Sequence, residues 1–132
     1  MKLIDTLETG DVVFTSCSAA LMCYHVGIVC EINGVKKVFH NDPKIKNRWG
    51  GNVCSELWDD FMKGSHLYRV VKTNTTKERI LEVSRNHKRE TWDELFFNCE
   101  DYILEITEGH RRSNQRDGFK VALLGLTILF LI

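Results

Sequence analysis

The chain has 132 residues, enough for one domain, and its 43% apolar and 27% charged side chains are ordinary for a compact globular fold rather than a disordered one. Eighteen basic residues offset eighteen acidic ones, so no bulk field draws it to nucleic acid or to anionic lipid, and any binding is chosen locally. Lys2, Asp5 and Glu8 interrupt the apolar residues of segment 1–10, which does not read as a signal peptide. The five cysteines (Cys17, Cys23, Cys30, Cys54, Cys99) form no CxxC pair and are odd in number, as expected of reduced thiols in the cytoplasm.

In chain order, the Gly10-Asp11 turn opens a short buried strand over Val12, Val13 and Phe14. Segments 24–32 and 35–40 are β-rich and flank Asn33-Gly34, the dipeptide best suited to a type I′ turn, so they predict a hairpin. A loop follows over 40–53, with the only proline, and then a short helix over 55–62. A strand is expected at 67–71 and a capped helix at 76–88. Asn98 reads as the N-cap of a helix running to about Gly109, with Glu100 and Asp101 in its first turn and Tyr102, Ile103 and Ile106 on its buried face. Segment 121–132 is uninterrupted apolar sequence behind the basic residues Arg111, Arg112, Arg116 and Lys120. Its 12 residues reach only about 18 Å as a helix, against a hydrocarbon core of about 30 Å, which predicts shallow or partial insertion.

A two-residue turn at Asn33-Gly34 pairs Ile32 with Val35 and sets Gly27 opposite His40. His25 and His40 then share one face of the hairpin as diagonal neighbours, while Val26, Ile28, Ile32, Val35 and Phe39 take the core side. A lone histidine on a strand is most often a satisfied polar group; two on one face point to a site. Zinc is disfavoured because the paired spacings that supply four ligands are missing, and neither a metal nor an organic cofactor is expected.

Cys99, in the first turn of its helix, is the natural nucleophile, since the helix dipole and free N–H groups lower a thiol pKa there. Histidine as base and a second group to orient it complete the logic of nucleophilic acyl transfer. Cys54 is the rival, because Val53-Cys54-Ser55-Glu56 could also place a thiol at a helix start. Cys30 alternates onto the core face, and His66, His87 and His110 lie in polar stretches that suit solvated surface groups.

Four motifs, Gly10-Asp11-Val12-Val13, Tyr24-His25-Val26-Gly27-Ile28-Val29, Phe39-His40 and Asn98-Cys99-Glu100, resemble in order those of the lecithin:retinol acyltransferase-like proteins, a circularly permuted branch of the NlpC-type papain-like enzymes. The run from Glu108 through Gln115 with its apolar tail is similar to the small phospholipase A/acyltransferases of that family. The resemblance implies an α+β fold, a small antiparallel sheet with packed helices, divided into a catalytic domain (1–110), a basic linker (111–120) and a membrane-associating tail (121–132). It implies that Cys99 attacks a phospholipid ester, His25 activates the thiol and His40 orients His25, giving an acyl-enzyme thioester that passes to water, an amine or a lysolipid. Tyr24 is a candidate second oxyanion donor beside the Cys99 N–H. The expected protein is cytoplasmic and held to membrane by its C-terminus. Asp101 and Tyr102 stand where the family commonly has His and Phe, and the carboxylate of Asp101 is expected to raise the thiol pKa. A peptidase or amidase of the same fold, and a membrane-tethered interaction protein with a silent site, are the other readings.

Overall fold

The computed structural model describes residues 2–17, 24–94 and 97–109. A 3-10 turn (Leu3–Thr6) leads into strand β1 (Val12–Cys17) and the hairpin of β2 (Tyr24–Ile32) and β3 (Val35–Asn41). Asn33 and Gly34 both take positive φ, 51° and 81°, as a type I′ turn requires. Ile32 pairs with Val35, Glu31 with Lys36 and Gly27 with His40, the register that the turn predicts. Next come β4 (Val53–Leu57), α1 (Trp58–Met62), β5 (Ser65–Val71), α2 (Lys77–Asn86) and α3 (Cys99–Glu108). The five antiparallel strands lie in the order β4-β3-β2-β1-β5, so the architecture is α+β, a small antiparallel sheet with packed helices.

Both faces of the sheet are covered. On one, Val12, Phe14, Val26, Ile28, Cys30, Phe39 and Val53 pack against Ile80 and Val83 of α2 and Tyr102, Ile103 and Ile106 of α3. On the other, Val13, Val29 and Val38 pack against Leu7 and against Phe61 of α1, with Trp58 and Met62 at the margin. Each large side chain buried this way contributes about 1.5–3 kcal/mol, so the second layer also holds the sheet together. Alternation along β2 and β3 puts His25 and His40 on this α1-covered face, which is therefore a second core and not a half-exposed surface. Val35, expected in the core, is 45% exposed at the hairpin tip.

The helix expected over 55–62 begins only at Trp58. Residues 53–57 instead form β4, because the outer edge of β3 offers backbone N–H and C=O groups that they satisfy by pairing. Cys54 is thus a strand residue and has no helix start to lower its pKa.

Asn98 caps α3 reciprocally: its Oδ1 accepts from the Asp101 N–H at 3.0 Å, and Asp101 Oδ2 accepts from the Asn98 N–H at 3.0 Å. Gly109, at φ 89°, closes the other end in the left-handed conformation. Thr76 caps α2 by accepting from the Arg79 N–H at 3.2 Å. No helix among the described residues is long and apolar enough to cross a membrane. The linker 111–120 and the tail 121–132 lie outside the described residues, as do Cys23 and His110.

Candidate functional site

The hairpin register carries His25 and His40 to one point on the sheet. His25 Nε2 lies 2.7 Å from His40 Nδ1, and the ring centroids are 4.9 Å apart at 80°. Phe61 of α1 covers both rings, at 4.9 Å from His40 and 5.7 Å from His25. Gly27 makes this approach possible: a Cβ there would fall 2.5 Å from Val38 Cγ1 and 3.1 Å from Phe61 Cε1.

β4 adds Glu56, which the sequence reading did not assign to the site, and Cys54, which it named as the rival nucleophile. His40 pairs directly with Cys54, and Glu56 follows two residues on, on the same face. Glu56 Oε1 is 2.6 Å from His40 Nε2, and Cys54 Sγ is 3.4 Å from that same nitrogen. Asp42, two residues beyond His40, brings its carboxylate within 4.8 Å of ring nitrogens of both histidines. Read as a strand, the spacing Cys54-x-Glu56 would have placed both side chains beside His40; read as a helix, it hid them. Asp42 was accessible to the same alternation that paired the histidines.

This chain of contacts sets the proton positions. An ionised carboxylate only accepts, so His40 Nε2 carries its proton toward Glu56 and His40 Nδ1 is a lone pair. His25 must then donate from Nε2 to His40 Nδ1, which leaves His25 Nδ1 as the unprotonated, basic nitrogen. Burial pulls the pKa of both histidines down to about 4, and for His25 the neighbouring His40 adds to the effect while Asp42 opposes it. Burial also pushes the Glu56 carboxyl above its ordinary value, with Asp42 and Asp60 in the same sense.

Cys99 stands at the first turn of α3, as expected, but on the α2/α3 side of the sheet. The backbone N–H groups of Val26, Glu100 and Cys99 itself act on its sulfur to lower its pKa, and it packs against the core cluster that contains Val26. Asn41, fully buried beside His40, ties this corner to β3 by donating from Nδ2 to the carbonyls of Phe97 and Asn98 at 3.2 and 3.3 Å. The Cys99 sulfur is thus under the influence of Val26, the residue that follows His25 on β2. Among the described residues, no hydrogen bond joins Cys99 to either ring; the thiol nearest the histidines is Cys54.

The expected lowering of the Cys99 pKa is reversed. Burial pushes the thiol up to about 12, Glu100 adds to the rise, and the three N–H groups only partly offset it. Asp101 is not the carboxylate responsible, being engaged in the cap of its own helix. Cys54 is likewise pushed up to about 12, by burial and then by Glu56 and Asp42. Both thiols are therefore protonated at neutral pH.

Cys30 is buried and its thiol is raised by burial, in keeping with an inert core residue. His66 is exposed, whereas His87 is half-buried between Glu90 and Glu105, at 2.5 and 2.8 Å, and is no free surface group. The Tyr24 side chain lies outside what the structure describes, so the second oxyanion donor is not located. Comparison of the chain with protein-family models, with curated proteins and with solved structures returns no match. The family likeness accordingly rests on its motif residues alone.

Proposed function

We propose that this protein is a thiol-dependent acyl-transfer enzyme acting on phospholipid esters, with a circularly permuted papain-like arrangement of its strands and α3. Cys99 is the nucleophile, His25 Nδ1 the base, and His40 and Glu56 the groups that hold His25 in the right tautomer. The observation that carries this reading is the Glu56–His40–His25 chain, which leaves Nδ1 of His25 basic, on the residue that precedes Val26, whose N–H acts on the Cys99 sulfur. In the first step the sulfur bonds to the ester carbonyl carbon, the thiol proton passes to His25 Nδ1, and the alcohol leaves with that proton. In the second, water or another acceptor attacks the thioester and restores the thiol.

The resting pair is neutral on both sides. Burial holds the thiol up at about 12 and His25 down at about 4, so the ion pair is disfavoured at rest and forms only in passing, as the sulfur attacks. The reaction requires the His25 ring and the Cys99 sulfur, which no hydrogen bond joins among the described residues, to come into contact. A cleft of about 410 Å³ lined by Val12, Phe14, Val26, Glu100, Ile103 and Leu104 offers room for an apolar acyl group. Segment 121–132 would hold the enzyme at the bilayer that contains this substrate.

A specific contact favours a second reading, in which Cys54, 3.4 Å from His40 Nε2, is the nucleophile. Intact-mass measurement after mixing with phosphatidylcholine separates the two. We expect an acyl adduct on the wild type and on Cys54→Ala, and none on Cys99→Ala. An adduct that survives Cys99→Ala but disappears in Cys54→Ala moves the chemistry to β4, and no adduct or lipid hydrolysis from the wild type ends both readings.

A further inference from the structure

Three kinds of donor atom meet at one point: His40 Nε2, the Cys54 sulfur 3.4 Å from it and the Glu56 carboxylate 2.6 Å from it. The cluster follows from strand pairing, since His40 faces Cys54 across β3 and β4, and Glu56 is the next residue of β4 on that face. His40 is 1% exposed, but Cys54 and Glu56 are half-buried on an edge strand, which leaves a path from solvent. The surroundings are electronegative: Asp42 and Asp60 act on Glu56, and Glu56 and Asp42 on Cys54. A divalent cation would turn that accumulated negative charge from a cost into an attraction.

We propose that His40, Cys54 and Glu56 are three ligands of a binding site for a single zinc-class divalent cation. Imidazole, thiolate and carboxylate are the donor types this ion accepts. Zinc–nitrogen and zinc–sulfur bonds of about 2.0 and 2.3 Å in tetrahedral geometry set those two ligand atoms about 3.5 Å apart. The 3.4 Å between Cys54 Sγ and His40 Nε2 already matches this; Glu56 has only to draw back by less than about 1 Å.

Occupancy has a chemical consequence, which rests on the acyl-transfer reading. A neutral imidazole bound to metal through Nε2 keeps its one proton on Nδ1. His40 Nδ1 then donates to His25 Nε2 instead of accepting from it, so the His25 proton moves to Nδ1, the nitrogen that serves as base. Each histidine still carries one proton, and one proton, from the Cys54 thiol, goes to solvent. The ion thus switches the base off from the far end of the relay.

The test uses the full chain titrated with zinc(II) or cobalt(II). We expect one ion per chain, about one proton released per ion, and a sulfur-to-cobalt charge-transfer band. Cys54→Ser removes the band and weakens binding on the order of a hundredfold, and Glu56→Gln weakens it at least tenfold; both are checked for folding by thermal melt, and the second serves if the first does not fold. Cys99→Ala and His25→Asn keep the band. A band lost in Cys99→Ala, or affinity lost in His25→Asn, places the ion elsewhere and overturns the site; so does the absence of binding. Nitrogen NMR of the His25 ring reads the switch without any assay of activity: zinc should move its proton from Nε2 to Nδ1. Binding without that movement removes the switch but not the site, while the movement with acyl transfer unimpaired counts against His25 as the base.

Discussion

Glu56 touches neither the sulfur nor any atom a substrate would offer, yet it decides which nitrogen of His25 is basic. Its carboxylate fixes the proton on His40 Nε2 at 2.6 Å, and the 2.7 Å contact between the rings passes the choice on. A glutamine at 56 keeps the size but can donate its amide N–H to His40 Nε2, which reverses both rings and leaves His25 Nδ1 protonated. We expect Glu56→Gln to lower kcat on the order of tenfold to a hundredfold with KM nearly unchanged, because binding is untouched while the base is lost. A mutant with wild-type kcat would show that the proton arrangement of His25 is set by something other than the relay. The magnitude is smaller than for loss of Cys99 itself, since in some molecules the amide presents its oxygen and preserves the productive tautomer.

At the scale of elements, the site depends on how closely α1 is pressed onto β2 and β3. Gly27 lies between His25 and Val29 on the covered face, and its missing Cβ leaves room for Val38 and Phe61. Gly27→Ala places a carbon 2.5 Å from Val38 Cγ1, which must shift. We expect a loss of about 1–3 kcal/mol in urea unfolding, typical of overpacking, together with a drop in activity as Phe61 leaves the rings. Unchanged stability with unchanged activity would mean that the layers separate freely there. The hairpin and α3 were legible because each is specified by local chemistry: Asn33-Gly34 sets the register that joins the histidines, and Asn98 starts the helix that carries Cys99. β4 was not, because Ser55-Glu56-Leu57 has no local preference strong enough to resist pairing with β3, a contact fixed only by tertiary structure. With β4 unread, Glu56 and the second covered face went unread too. The raised Cys99 pKa was hidden for a similar reason: burial outweighs the helix terminus, and burial is a property of the assembled core.

Over the whole molecule, the histidines pull stability in opposite directions with pH. His25 and His40 have folded pKa values near 4, below about 6.5 in the unfolded chain. Between those values the unfolded chain binds protons that the fold refuses, so stability falls as pH drops through that window, by on the order of 3 kcal/mol for one such group. The two rings share one environment, so their effects do not simply add. Glu56, whose folded pKa is raised, loses some stabilisation as pH rises above about 4.5 and offsets a part of this slope. His87 behaves oppositely to the buried pair: the hydrogen bonds that its ring donates to Glu105 and then to Glu90 hold its pKa above the ordinary value. Its contribution is complete below about 6.5 and is lost as pH rises through the folded pKa. Urea unfolding from about pH 4.5 to about pH 8.5 should therefore give a stability maximum near about pH 6.5, with His87→Gln flattening the alkaline side and leaving the acid side intact. An acid limb that is level in the wild type would mean that His25 and His40 take up protons as readily in the fold as in the unfolded chain. The buried, neutral relay on which the base depends would then not exist.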